Sequence, residues 1–162
     1  MKTQNSVSSA AMSNDDIADV LNDLVETSKD GEYGFRTCAE HAKSADLKTF
    51  FERRANECRV AAQELQALVA DYGEEPDTGG SVTGAMHRGW VAVRGAVALN
   101  DDLSMLEECE RGEDTALERY RDAMKKNLPP SVVAIVQRQA AGVQRNHDEV
   151  KRLRDDLRAA AR

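Results

Sequence analysis

Apolar residues recur every three or four positions along four long stretches of the chain, and this spacing predicts α-helices. Ser13/Asn14 and Ser44 precede two of these stretches as capping residues. No segment alternates between apolar and polar positions as a half-buried strand does, so the pattern predicts an all-α fold. The four predicted helices span about residues 14–43, 45–72, 102–126 and 131–160.

The connections between the predicted helices indicate how they are arranged. The first two helices, and likewise the last two across "NLPP", are joined by short turns, so each pair should form an antiparallel hairpin. Between the hairpins lies the loop "GEEPDTGG", followed by a shorter predicted helix from residue 81 to about 99. We therefore predict a four-helix bundle with one long crossover over residues 14–160, preceded by a disordered polar tail over residues 1–13.

Composition and charge narrow the function classes. The chain has 162 residues and a formal net charge of -7, which argues against nucleic acid or an anionic membrane as the main partner. No run approaches about 18 apolar residues and the N-terminus has no apolar signal region, so a cytoplasmic location is expected. Three cysteines without a CxxC pair predict free, mostly buried thiols. Apolar positions on the crossover helix suit the bundle or a second subunit, and we expect a homo-oligomer, most simply a dimer.

Several charged residues fall on the inner faces of the predicted helices. At 100° per residue, the apolar side of the third helix passes through Glu110 and Glu113, whereas Glu108 falls on the solvated side. The apolar side of the second helix passes through Arg54, and that of the fourth passes through His147.

Distance from the turns predicts which polar residues face each other. Across the first turn, Glu32 lies opposite Glu57, each on the flank of its apolar side. Across the second turn, Glu110 lies opposite His147 and Glu113 lies opposite Gln144. These residues should share one level near the middle of the bundle, with Arg54 about one turn away.

Buried carboxylates must share protons, pair with a cation or bind a metal. One interpretation is an internal ion network in which Arg54 and protonated His147 neutralise the glutamates, with Gln144 in the same polar layer. The other is a metal site of carboxylates and imidazole, for which Fe or Mn is favoured. A small rotation of the third helix would instead send Glu110 to solvent.

Several stretches of the sequence together indicate a family: "LNDLVETSKDGEYGFR", "ELQALV", "GSVTGAMHRGW", and "RGED" with the following "YRDAM". In these stretches the chain resembles bacterial ferritin-like four-helix-bundle proteins known only as a domain of unknown function, distant relatives of rubrerythrin and ferritin. The resemblance covers about residues 17–157 and implies a ferritin-like bundle.

The wider superfamily binds two irons through one Glu on each of two helices and Glu-x-x-His on each of the other two. Val60 stands where the His after Glu57 would be, and Gln144 stands where the Glu before His147 would be. The resemblance therefore implies at most a reduced Fe or Mn site. Its candidate ligands are Glu32, Glu57, Glu110, Glu113 and His147.

No nucleophile elbow, phosphate-binding loop or dinucleotide fingerprint is present, and we assign no catalytic residue. The favoured function is a non-catalytic structural, interaction or stress-related protein with a buried Glu/Arg/His network. The alternative is a metal-binding ferritin-like protein in redox chemistry or metal storage. Whether the chain is an enzyme stays open at this point.

Overall fold

The computed structural model describes residues 11–76, 93–98 and 101–161. These residues form helices and connections without a β-strand, which confirms the all-α prediction. The ends of the long helices agree with the predicted ones to within a few residues. The helices are α1 (Asn14–His41), α2 (Ala45–Asp71), α3 (Val93–Ala98), α4 (Asp102–Met124) and α5 (Pro130–Ala160).

Polar residues at the helix starts explain where each long helix begins. The side chains of Ser13, Ser44 and Asp101 each accept a hydrogen bond from a backbone amide in the first turn of the helix that follows. Helix α5 instead begins with Pro130, which has no amide hydrogen to satisfy and whose fixed φ suits the first helical position. The local sequence therefore sets the start of all four long helices.

The long helices form two antiparallel hairpins, α1–α2 and α4–α5, as predicted. Their helices pack closely along their length, and the hairpins join mainly through α1 and α4. Helices α2 and α5 are neighbours with few close backbone contacts, and α2 and α4 lie diagonally across the bundle. None of the helices in the described part of the chain is long and apolar enough to cross a membrane.

The apolar core is divided into two clusters along the bundle axis. One contains Phe35, Phe51 and Leu106, and the other contains Leu24 and Leu65, all of them almost fully buried. The positions between the clusters include residue 57 of α2, residue 113 of α4 and residue 146 of α5, which are polar. The core therefore has a polar layer between two apolar ones.

Only part of the predicted crossover helix falls within the described residues. Helix α3 packs against α1 and α4, where Ala96 is buried. Residues 81–92 and 99 of that predicted helix lie outside the described residues, and so does the whole stretch "GSVTGAMHRGW", residues 80–90. So do residues 1–10 of the predicted tail.

The α1–α2 turn is tied to the start of α4 by one carboxylate. The backbone amides of Lys43 and Ser44 donate to Oδ1 and Oδ2 of Asp102 at 2.9 and 3.1 Å.

We expect Asp102→Ala to lower the free energy of unfolding by about 1–3 kcal/mol, because both amides lose a charged acceptor. Urea unfolding followed by circular dichroism measures this change. Asp156→Ala, which removes only an exposed pair with Arg152, should change it by less than about 1 kcal/mol; equal losses in the two variants would show that the tie does not stabilise the fold.

Candidate functional site

Arg54 and Glu113 form an ion pair in the centre of the bundle, with side chains only 6% and 2% exposed. Nε of Arg54 donates to Oε1 of Glu113 at 2.8 Å, and Nη2 donates to Oε2 at 3.3 Å. This is the bidentate arrangement in which a guanidinium binds a carboxylate most strongly. The guanidinium also lies over the ring of Phe35, 5.3 Å from its centroid, which adds a cation–π contact.

Glu57 is the second carboxylate bound to Arg54. Its Oε2 accepts from Nη1 of Arg54 at 3.1 Å and from Nδ2 of Asn146 at 3.0 Å. On the solvent side, its Oε1 accepts from Nη1 of Arg53 at 3.2 Å. Glu57 therefore connects the buried ion pair to α5 and to the surface.

The protonation of this cluster follows from burial and mutual charge. Burial by itself lowers the pKa of Arg54, but the surrounding Cys58, Glu113 and Glu57 outweigh this and raise it, so the guanidinium stays charged. Burial raises the pKa of Glu113, and the opposing effects of Arg54 and His147 offset only part of that rise. Glu113 is thus the member of the pair that takes up a proton first as the pH falls.

A second polar cluster lies beside the first and crosses three helices. The hydroxyl of Tyr120 donates to Oε1 of Gln139 at 2.8 Å, and Nε2 of Gln139 donates to Oε1 of Glu64 at 2.7 Å. Arg138 pairs with the other oxygen of Glu64. Burial is the main cause that raises the pKa of Tyr120, so its hydroxyl remains a donor at neutral pH.

The structure brings together two of the five predicted ligands. Glu113 lies on the buried side of α4, as predicted, and it shares Arg54 with Glu57. Glu32 instead pairs with Lys29 and Arg36 of its own helix, at 3.8 and 3.2 Å. The predicted contact between Glu32 and Glu57 is not among the hydrogen bonds and ion pairs of the described residues.

The predicted opposition of Glu110 and His147 is wrong. Glu110 forms an ion pair with Arg154. Nε2 of His147 lies 2.6 Å from Oδ1 of Asp114, and its Nδ1 lies 3.4 Å from Oδ1 of Asp148. The reason is the rotation of α5: Asn146, and not His147, occupies its buried side between Val143 and Val150.

Two other placements differ from the sequence prediction for related reasons. Nε2 of Gln144 donates to Oδ1 of Asp148 at 3.0 Å on an exposed part of α5, so Gln144 is not in the polar layer. Glu108 is 3% exposed, although it was predicted on the solvated side. Helix α4 is covered by α1, α3 and α5, which buries a wider arc than a single apolar side would.

Sequence reasoning missed Asn146 and Gln139 as members of the polar layer. Both are buried on α5, and both bridge to carboxylates of α2. The signal that identifies them is their spacing, because 132, 136, 139, 143, 146 and 150 form one uninterrupted series with steps of three and four. Because both side chains are uncharged amides, a pattern of buried charges does not indicate them.

Within residues 11–76, 93–98 and 101–161, no group of three or more His, Cys, Asp or Glu side chains is placed to hold a metal ion. Glu57 and Glu113 converge, but the cation between them is Arg54. Glu32, Glu110 and His147 have separate partners. One guanidinium binds two carboxylates and engages both oxygens of Glu113, and Arg53 supplies a second positive charge to Glu57.

The three cysteines are free and buried, as the sequence predicts. Sγ of Cys58 would lie 2.9 Å from a Cβ atom at Gly31, so any larger residue at this close approach of α1 and α2 requires the Cys58 side chain to shift. Burial raises the pKa of Cys58 to about 12, although the nearby Arg54 opposes the rise. Cys38 and Cys109 face each other with their sulfur atoms 3.7 Å apart.

Comparison with known proteins gives a family and a fold. A family model described as "Domain of unknown function (DUF2383)" matches residues 16–126. None of the curated proteins matches the chain. A solved structure of a Dps1 mutant from Mycobacterium smegmatis is similar with a TM-score of 0.71 and 15% sequence identity, covering 87% of this chain and 96% of that one. At this identity the likeness shows the fold alone.

Removing Arg54 should strongly destabilise the fold. We expect Arg54→Ala to lower the free energy of unfolding by about 3–5 kcal/mol, because Glu113 would remain buried without a positive partner. The matched control is Arg53→Ala, whose side chain is 49% exposed and pairs with Glu57 and Glu149 at the surface; it should cost less than about 1 kcal/mol. Chemical denaturation of both variants measures the difference.

The double replacement Arg54→Met with Glu113→Leu should be more stable than Arg54→Ala, because it removes the unpaired charge together with its partner. If Arg54→Ala and Arg53→Ala cost the same, the buried pair does not have the role assigned to it.

The buried thiol of Cys58 should be unreactive in the folded protein. Since its pKa is raised to about 12, it carries almost no thiolate at pH 8.5. We expect iodoacetamide to modify Cys58 much more slowly in buffer than in 8 M urea, as measured by peptide mass spectrometry. A free cysteine-containing peptide is the control for the effect of urea on the reagent, and equal rates in the two conditions would contradict the burial of the thiol.

Proposed function

The chain belongs to the family described as a domain of unknown function, DUF2383, with a ferritin-like fold, and we propose that it is a non-catalytic structural or interaction protein. The match over residues 16–126 confirms the resemblance inferred from the sequence. The observation that carries the proposal is the position of Arg54. Its guanidinium, almost completely buried, lies between Glu113 and Glu57, where a cation is needed to neutralise them.

The chemistry of arginine supports this proposal. A guanidinium is permanently charged and binds a carboxylate through two parallel hydrogen bonds, so Glu113 has both oxygens engaged. A divalent cation at the same place would be repelled by the guanidinium and would have to displace it from two carboxylates. The Arg54 guanidinium thus supplies Glu113 and Glu57 with the positive charge that a metal ion would supply.

The positions of the altered motifs also support the proposal. Val60, where a second histidine would be expected, is 50% exposed. Gln144, where a glutamate would be expected, bonds to Asp148 on an exposed part of α5. A histidine or a glutamate restored at these two positions would therefore stand on the exposed part of its helix.

The alternative function is Fe or Mn binding at a reduced carboxylate/His site, in redox chemistry or metal storage. The observation in its favour is that Glu57 and Glu113 converge and that His147 is near enough to affect the pKa of Glu113. This alternative requires Arg54 to leave Glu113. A homo-oligomeric state, a stress-related role and a cytoplasmic location are further parts of our proposal that rest on the sequence.

Metal content distinguishes the two functions. Full-length protein purified without chelators from cells supplied with Fe and Mn should contain far less than one ion per chain by plasma mass spectrometry. Addition of Mn²⁺ or Fe²⁺ should leave the melting temperature unchanged, because a ligand that does not bind the native state cannot stabilise it.

Stoichiometric Fe or Mn that is lost on Glu113→Ala or His147→Ala would contradict the structural proposal and support the metal site. Glu107→Ala is the matched control, because Glu107 pairs with Arg158 at the surface of α4 away from the polar layer.

A further inference from the structure

A cavity of about 420 Å³ lies beside the polar layer, between the four long helices. Small residues from all four helices line it: Gly31 of α1, Ala61 of α2, Ala116 of α4 and Gly142 of α5. A Cβ atom added at Gly142 would meet only the tip of Arg145, at 3.6 Å. The space therefore depends on the absence of larger side chains at these positions.

The cavity reaches the surface between α2 and α5, the neighbouring pair of long helices with few close backbone contacts. Val60 lines the cavity and is 50% exposed, which makes it an apolar residue at the mouth. Phe35 and Val143 line the interior and are buried. A volume of this size with apolar walls and a few polar groups is typical of a small-molecule site.

The charged residues around the cavity are paired, with one exception. Arg54 binds Glu113 and Glu57, and Arg138 binds Glu64. Arg145 also lines the cavity, and it is exposed. Among the residues that the structure describes, no ion pair or hydrogen bond involves its side chain. The three arginines and three glutamates that line the cavity balance in formal charge, and Arg145 is the one of them whose side chain is left to bind a ligand.

We propose that the cavity binds a small amphipathic carboxylate, with its hydrocarbon part inside and its carboxylate on Arg145. A guanidinium prefers a carboxylate because two parallel N–H donors match its two oxygens. The hydrocarbon part would be buried against Val143, Ala61 and Ala116, which removes apolar surface from water. The polar side chains deeper in the cavity, Gln139 among them, already have hydrogen-bond partners within the protein.

Charge selects against the other classes of ligand. An organic cation would be repelled by Arg145, and the glutamates that line the cavity are already bound to arginines. A neutral alcohol of the same chain length would gain the apolar contacts but not the charged one. Binding of the carboxylate does not require a metal ion. A metal found in the purified protein would therefore contradict the proposed function without contradicting this inference.

Isothermal titration calorimetry of the full chain with octanoate, 1-octanol and octylammonium tests the proposal. We expect saturable binding of one octanoate per chain, with 1-octanol and octylammonium at least about tenfold weaker. Arg145→Gln should weaken octanoate binding about tenfold and bring it close to that of 1-octanol. The matched control is Arg152→Gln on the same helix, which removes an exposed arginine that does not line the cavity and should leave binding unchanged.

Filling the cavity provides a second test that is independent of charge. Gly142→Leu should abolish binding of octanoate and 1-octanol, while the helical circular dichroism and melting temperature are retained because leucine favours a helix more than glycine does. Ala116→Leu fills the cavity from α4 and should give the same result. The proposal is overturned if octanoate shows no saturable binding, if 1-octanol or octylammonium binds as tightly, or if a folded cavity-filling variant binds as the parent does.

Discussion

The burial of Glu113 is the constraint on which the rest of the polar layer depends. A carboxylate inside a helical bundle needs a positive partner, and the hydrogen-bonded one comes from α2, which does not pack closely on α4. Arg54 reaches Glu113 across the diagonal of the bundle, and the length of its side chain makes this possible. Because Arg54 also binds Glu57, which accepts from Asn146, one guanidinium connects α2, α4 and α5.

This interaction fixes the position of the helices more than it adds to net stability. Removing two charges from water costs free energy that their attraction barely recovers, so an apolar pair of similar volume would serve stability equally well. Apolar residues, however, tolerate rotations and shifts of one helix against another. A bidentate ion pair is more sensitive to such shifts, because both of its hydrogen bonds depend on the relative position of α2 and α4.

The fold could be predicted from the sequence because it depends on local features: helical spacing, capping residues and short turns. The burial of Glu113 and Arg54 was predictable for the same reason. The placement of His147 was not, because residues 146 and 147 both fit a helical series between Val143 and Val150. Only contacts with α2 decide between them. Glu108 was misplaced because the sequence pattern does not show how many helices cover α4.

The unequal packing of the bundle has a consequence for its response to ionic strength. Apolar contacts, which dissolved salt does not screen, pack α1 against α4, where the ion pair between Arg119 and Asp23 lies at the surface. The α2–α5 side is bridged near the surface by polar links such as Arg53 to Glu149 and Arg138 to Glu64. Exposed ion pairs weaken as the Debye length shortens. Salt therefore weakens the links between α2 and α5 at the surface, whereas the Arg54–Glu113 pair beneath them is buried and is screened much less.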